Sequence, residues 1–252
     1  MSTSRISYPA HARASLLLGL PLIGGHLGQV AIGVTDTMML GWYGVVELAA
    51  LTAAGSWFFV LFLMGSGFAW AVMPMVASFA AEGDEVNVRR ATRMGLWLSL
   101  GFAALSMPLM IWSEPILLAL GQTEAVAELG SQYLRIAGWG IIPALIVMPI
   151  KSYLAALERT QIVFWITLAG ATINVVANYV FIFGYWGAPE LGIRGAAIAS
   201  LCTQFVMLAG VWFYAVVALP EHNLFQRLWR VDWDMLGRVF RLGWPIGLTS
   251  LS

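Results

Sequence analysis

Six long apolar runs constrain the fold of this chain more than any other feature of its sequence. They cover residues 15–41, 48–79, 94–112, 132–152, 161–184 and 193–219 of the 252 residues. A helix needs about 20 mostly apolar residues to cross the hydrocarbon core of a bilayer. Each run therefore predicts one membrane-spanning helix, and a seventh run begins near residue 240. The predicted fold class is an all-α membrane protein.

The composition agrees with this prediction and excludes several soluble classes of protein. Only 10% of the residues are charged and 60% are hydrophobic, whereas a soluble domain carries about 25% charged residues. The 13 basic and 13 acidic residues cancel, so a nucleic-acid partner is not expected. The single cysteine, Cys202, excludes a disulfide framework. The sequence contains no HExxH, GxSxG or P-loop pattern, so we predict no enzymatic activity, no cofactor and no metal centre.

Basic residues gather in alternate connections between the runs, which predicts the orientation of the chain. Eleven of the 13 basic residues fall on one side, namely Arg5, Arg13, Arg89, Arg90, Arg93, Lys151, Arg159, Arg227, Arg230, Arg238 and Arg241. Connections rich in Lys and Arg stay in the cytoplasm. We therefore expect a multi-pass integral membrane protein with a cytoplasmic N-terminus.

The same pattern divides the chain into four segments. We predict a cytoplasmic N-terminus (1–14), a six-helix lobe (15–219), an amphipathic cytoplasmic linker (220–239) and the start of a second lobe (240–252). The linker mixes charges with large apolar side chains, as helices at a membrane surface do.

A short repeat supports a second lobe. Leu-Gly-Leu-Pro at residues 18–21 returns as Leu-Gly-Trp-Pro at residues 242–245. Six spans between the two copies would return the chain to the same side of the membrane, as in transporters built from parallel repeats. We therefore expect the chain to be a fragment, the first half of a protein with about 12 spans.

Asp36 is the one acidic residue well inside an apolar run, and Gln29 lies seven residues earlier on nearly the same helical face. An ionisable group inside a membrane is costly, so it marks a functional site by default. Counting from the cytoplasmic end places Asp36 in the outer half of the bilayer.

Polar residues of two later runs are expected at a matching depth. Asn174 and Asn178 are four apart and share a face of the fifth predicted span, and Ser200 and Gln204 do the same in the sixth. The predicted site contains Asp36, Asn174, Asn178 and Ser200, with Gln29 and Gln204 as supporting polar groups. A buried carboxylate can load a proton, and its oxygens with those of the amides and hydroxyl also suit Na⁺. The sequence leaves both ions open.

Four segments resemble the multidrug and toxic compound extrusion (MATE) family, and its NorM-like branch most of all. They are Leu18–Pro21 followed by Gly33–Gly41 in the first span, Pro74–Ser78 with the following Gly83 and arginine-rich segment, Ile173–Gly184, and Gly192–Ser200. The resemblance extends over residues 14–252, and the order and spacing of the segments are more specific than any one of them.

The resemblance implies a 12-helix antiporter of a bacterial-type inner membrane, with two six-helix lobes around a cleft. It would export cationic, amphipathic compounds in exchange for H⁺ or Na⁺, and its missing second lobe would be a partner of this chain. Asp36 matches the acid of the family's first helix, and Asn174 and Asn178 match the polar pair of the fifth. Some members carry an acid at the second position of that pair, so Asn178 removes one carboxylate. Ser200 stands where relatives often have threonine.

Three other functions are compatible with a polytopic membrane chain. A flippase for lipid-linked precursors would require a more cationic cavity than these spans offer. An intramembrane enzyme would need a nucleophile–base pair or metal ligands. A truncated half-transporter would be inactive, because half of the cleft would be missing.

Overall fold

The computed structural model describes residues 8–219, 224–225 and 228–251, apart from the side chains of residues 8–15 and 18. Over these residues the chain is all-helical, as predicted. Its nine α-helices are α1 (Tyr8–Tyr43), α2 (Val45–Ala81), α3 (Glu85–Ile111), α4 (Ser113–Ala119), α5 (Glu124–Ala137), α6 (Ile141–Ala156), α7 (Thr160–Phe183), α8 (Ile193–Ala218) and α9 (Trp233–Thr249).

Five helical segments among the described residues are long and apolar enough to cross a membrane. They are α2, α3, the α5–α6 unit, α7 and α8. The α5–α6 unit, Glu124–Ala156, contains a 3₁₀ turn at Gly138–Gly140. The predicted first span, 15–41, falls on α1, which is not among the five, so the total of six spans stays a prediction.

The first helix lies along α7, and small side chains permit the contact. A Cβ atom added at Gly24 would lie 2.7 Å from the ring of Phe164, and one added at Gly28 would lie 3.2 Å from Thr167. Ile32, Asp36 and Leu40 continue this stripe at steps of four residues and are the buried residues among the described side chains of α1. Because contacts advance in the same direction on both helices, α1 and α7 run parallel, and Asp36 faces α7.

Two clusters of buried apolar side chains fill the lobe, one toward each end. Ile32 of α1 and Val163 of α7 belong to the first cluster, whereas Leu40 and Ile182 belong to the second. Asp36 is one helical turn from both Ile32 and Leu40. The polar residues around Asp36 therefore occupy the layer between the two apolar clusters.

The last helix, α9, packs against α2 through glycines. A Cβ atom at Gly67 of α2 would collide with the backbone of Gly247, and one at Gly243 would lie 2.8 Å from the Cα of Phe68. Small residues at such spacing let helix backbones approach closely. The predicted linker is described only in part, since 220–223, 226 and 227 lie outside the described residues.

The structure corrects the predicted position of Lys151. The sequence analysis assigns this residue to the fourth connection, but it lies within α6, more than one turn before the helix ends at Ala156. Its Nζ donates a hydrogen bond to Oγ1 of Thr167 on α7 (3.2 Å). The prediction was wrong because a lysine at the edge of an apolar run reads as a loop residue, although its long side chain can remain between helices.

Candidate cation-binding site

Asp36 lies at the centre of a buried cluster that joins α1, α7 and α8. Its Oδ1 accepts hydrogen bonds from Nδ2 of Asn174 (3.0 Å) and of Asn178 (2.5 Å), and its Oδ2 accepts one from the hydroxyl of Ser200 (3.1 Å). The carboxylate residue is only 7% exposed, and both asparagines are fully buried. The structure thus brings together the four residues that the sequence analysis singles out as the core of the site.

The asparagines reach Asp36 because α7 buries a single face. Its buried residues recur at steps of three or four and are Thr160, Val163, Thr167, Gly170, Asn174, Asn178 and Ile182. This period keeps them on the side that packs against α1 and α8. Ser200 approaches from α8, where Gly170 of α7 permits close contact with Thr203 and Met207.

The hydrogen bonds within the cluster leave one acceptor unused. Asn178 donates a second hydrogen bond to Oδ1 of Asn174 (3.1 Å). Oδ1 of Asn178 is buried and, over the described residues, has no hydrogen-bond partner. A buried polar atom without a partner costs free energy, so this oxygen is suited to a proton donor or a cation.

Within the described part of the chain, no basic side chain forms an ion pair with Asp36. The ion pairs within the described residues are Arg90–Asp232, Arg135–Glu114 and Arg238–Asp234, and none includes Asp36. The three donors to Asp36 are neutral side chains. Held this way, a carboxylate can exchange a proton or a hard cation without first breaking a salt bridge.

A cavity of about 340 Å³ opens onto the carboxylate. Gln29 and Gln204 line it, but neither has a hydrogen bond to Asp36 within the described part of the chain. Phe58, Phe59 and Phe62 of α2 form an aromatic wall. No lysine or arginine of the described ranges lines this cavity, which gives no support to an anionic cargo.

The sequence analysis missed Tyr133 of α5. This residue is 7% exposed and lines the same cavity as Asp36 and Ser200. The available signal was weak, since Tyr133 lies on the apolar face of a strongly amphipathic helix and reads as a packing residue. Only the position of α5 against α8 shows that Tyr133 lines the cavity beside Asp36.

Comparisons with known proteins agree with the resemblance in the sequence. The family model described as MatE matches residues 21–180. The chain is 45% identical over 255 residues to the "Probable multidrug resistance protein NorM" of Rhizobium meliloti (strain 1021), which covers 100% of this chain and 54% of the relative. The protein with the same description in Agrobacterium fabrum (strain C58) is 39% identical over 250 residues, 98% of this chain and 53% of the relative. The chain therefore spans about half the length of these curated relatives.

Solved structures show the same fold at lower identity. A crystal structure of MATE in the bent conformation superposes with a TM-score of 0.84 at 18% identity, covering 95% of this chain and 53% of that one. The outward-facing conformation of a multidrug resistance MATE family transporter superposes with a TM-score of 0.79 at 21% identity, covering 94% of this chain and 52% of that one. The fold is thus that of one half of a MATE transporter.

Proposed function

Because the chain belongs to the MatE family, we propose that it is the cation-binding lobe of a secondary multidrug exporter. Its cargo would be cationic, amphipathic compounds, exported in exchange for H⁺ or Na⁺. The single observation that carries the proposal is the buried carboxylate of Asp36, which is held by three neutral donors and faces an open cavity. The NorM relatives carry multidrug resistance in their names, which supports this class of cargo.

In the proposed mechanism, the strength of the hydrogen bonds to Asp36 depends on whether the carboxylate is ionised. When Asp36 is ionised, both asparagines and Ser200 donate to it and draw α7 and α8 toward α1. Binding of the coupling cation neutralises the carboxylate, so these donors lose much of their attraction. Helix packing then has two arrangements that differ in cation occupancy, which is what antiport requires.

The cavity suits a cargo of the proposed kind. Its aromatic wall offers apolar contact and attraction for a cation above a ring face. A cationic compound close to Asp36 would compete with the coupling cation for the same carboxylate. Export then follows when the coupling cation displaces the compound on the outer side of the membrane. A second six-helix lobe would complete the cleft.

Replacement of Asp36 by Asn tests this proposal in the complete transporter that the chain would form with a second lobe. Asn keeps the size of the side chain but removes the charge, so we expect export of a fluorescent cationic dye to fall to background at equal expression. The control is Asp234→Asn, which removes a carboxylate that is 66% exposed and paired with Arg238. Export that persists in Asp36→Asn would refute the proposal.

A further inference from the structure

A second cavity lies at the other end of the lobe from the α1–α2 turn, where α3 and α9 both begin. Its volume is about 610 Å³, within the range of roughly 300–1,000 Å³ that is typical of ligand sites. It is lined by Val86, Arg89, Arg90, Arg93, Arg230, Val231, Asp232 and Trp233. Four arginines against one aspartate leave an excess of positive charge.

Contacts between α3 and the segment before α9 hold this cavity in shape. Arg90 pairs with Asp232 at 2.5 Å and also donates to Oδ1 of Asn87 (2.7 Å). Trp97 donates from Nε1 to the carbonyl of Leu228 (2.7 Å). The walls therefore come from two parts of the chain that are far apart in sequence.

Three neighbouring aspartates have other partners, and none of them forms an ion pair with Arg89 or Arg230 over the described residues. Asp232 pairs with Arg90, Asp234 pairs with Arg238, and Asp84 accepts hydrogen bonds from Asn87. Arg89 and Arg230 have no carboxylate within ion-pair distance over the described residues. Guanidinium groups clustered in this way match the oxygens of a phosphate.

Exposed tryptophans next to the arginines indicate the source of that phosphate. Trp229 and Trp233 are 78% and 77% exposed and flank Arg230. Tryptophan concentrates at the headgroup level of membranes. The cavity also adjoins residue 94, where the predicted span of α3 begins, on the side that carries the excess of basic residues. Basic pockets in this position bind anionic lipid headgroups.

We propose that this cavity binds the phosphate of an anionic phospholipid of the cytoplasmic leaflet. The headgroup would bridge α3 of the first lobe and the segment that leads into α9. Arg89 and Arg230 would contact the phosphate from the two walls, while Trp229 and Trp233 would lie against the glycerol and upper acyl region. This site is separate from Asp36, so the proposal of lipid binding does not depend on the proposal of cation binding.

Native mass spectrometry of the full chain with added phosphatidylglycerol tests the proposal, with phosphatidylcholine as the neutral comparison. The variant Arg89→Gln/Arg230→Gln should bind phosphatidylglycerol about 30-fold more weakly, at about 1 kcal/mol for each basic side chain removed. The variant Arg89→Lys/Arg230→Lys keeps both charges and should retain most of the binding. The matched control is Arg238→Gln/Arg241→Gln, which removes two charges from the same end but outside the cavity.

Three results would overturn the proposal. Equal binding of the two lipids would exclude a preference for anionic headgroups. An equal loss of binding in the Arg238→Gln/Arg241→Gln control would show that general surface charge attracts the lipid. Displacement of phosphatidylglycerol by an equal concentration of inorganic phosphate would assign the cavity to a soluble phosphate. A far-ultraviolet spectrum identical to that of the parent chain confirms that each variant is folded.

Discussion

Asn178 donates a 2.5 Å hydrogen bond to Asp36, while the carbonyl oxygen of the same amide has no partner over the described residues. The amide nitrogen thus holds the carboxylate, while the amide oxygen is an unused acceptor over the described residues. An amide can reverse its two ends when the group beside it changes from acceptor to donor. Asn178 is therefore the residue best placed to respond when Asp36 takes up or releases a cation.

Replacing Asn178 with Leu should impair cation-coupled export while preserving the fold. The side chain keeps the branched shape of Asn, but the ionised carboxylate loses a donor, and such a bond is worth about 1.5–3 kcal/mol. Asp36 would then release its cation less readily, and the rate of dye export should fall at least about tenfold. The control is Thr203→Val, because Thr203 lines the same cavity but bonds to the Ala199 carbonyl of its own helix. A matching loss in that control would contradict the assignment.

For cation-coupled export, the hydroxyl group at position 200 should matter more than the size of the side chain. Ser200→Ala removes the donor to Oδ2 of Asp36 and should shift the cation concentration for half-maximal export several-fold. Ser200→Thr keeps the hydroxyl and should leave this value close to that of the parent. The measurement is dye export against Na⁺ concentration and against pH. Equal behaviour of the two variants would argue against a role for the hydroxyl.

Docking of α9 should not change with pH between about 5 and 8. The hydrogen bond from Arg90 is the main cause that holds the pKa of Asp232 below its ordinary value. A lowered pKa contributes stability above the unfolded value of about 3.9, and this stability is lost as the pH falls through the folded value. Hydrogen exchange of the α9 amides, compared with those of α2, measures the effect. Protection that declines already at pH 6 would show that another group controls docking.

Two substitutions separate the roles of Asp232. Its side chain pairs with Arg90 and also accepts a hydrogen bond from the backbone N–H of Met235 at the start of α9. Asp232→Asn keeps a good helix cap and loses a partly exposed ion pair, so it should cost at most about 1 kcal/mol. Asp232→Ala loses both and should cost about 1 kcal/mol more. Equal hydrogen-exchange rates of the α9 amides in the two variants would show that the N-cap hydrogen bond from Met235 to Asp232 does not stabilise α9.

A methyl group at Gly67 should separate α9 from α2. Its Cβ atom would collide with backbone atoms of Gly247, which cannot move aside as a side chain can. Overpacking of this kind typically costs about 1–3 kcal/mol. Gly55→Ala in the same helix meets nothing within 4 Å and is the control. We expect thermal unfolding to show a lower midpoint temperature for Gly67→Ala than for the parent chain, and no change for Gly55→Ala. Equal midpoint temperatures in the two variants would show that the close contact at Gly67 is dispensable.

The sequence predicted which polar residues the structure brings together, because each lies in a run where polarity is costly. Asp36, Asn174, Asn178 and Ser200 could be selected by type, spacing and depth alone. Tyr133 could not be selected this way, because an aromatic ring on an apolar helix face has an adequate explanation in packing. Its place beside the cavity depends on the contact between α5 and α8, and no local pattern specifies that contact.

The ends of the helices were harder to predict from the sequence than the presence of the helices. The predicted third span starts at 94, whereas α3 begins at Glu85, since the polar first turns form a helix that hydropathy does not detect. Asp84 marks this start because its side chain accepts a hydrogen bond from the N–H of Asn87. The predicted fourth span likewise ends too early, at 152, whereas α6 continues past Lys151 to Ala156.

Binding of the coupling cation to the chain itself tests the central claim most directly. The parent chain and Asp36→Asn, both reconstituted in lipid, would be titrated with Na⁺ at several pH values while heat and proton release are recorded. We expect saturable Na⁺ binding, or proton exchange with a single titrating group, in the parent and neither in Asp36→Asn. The same binding and the same proton exchange in both proteins would contradict the claim.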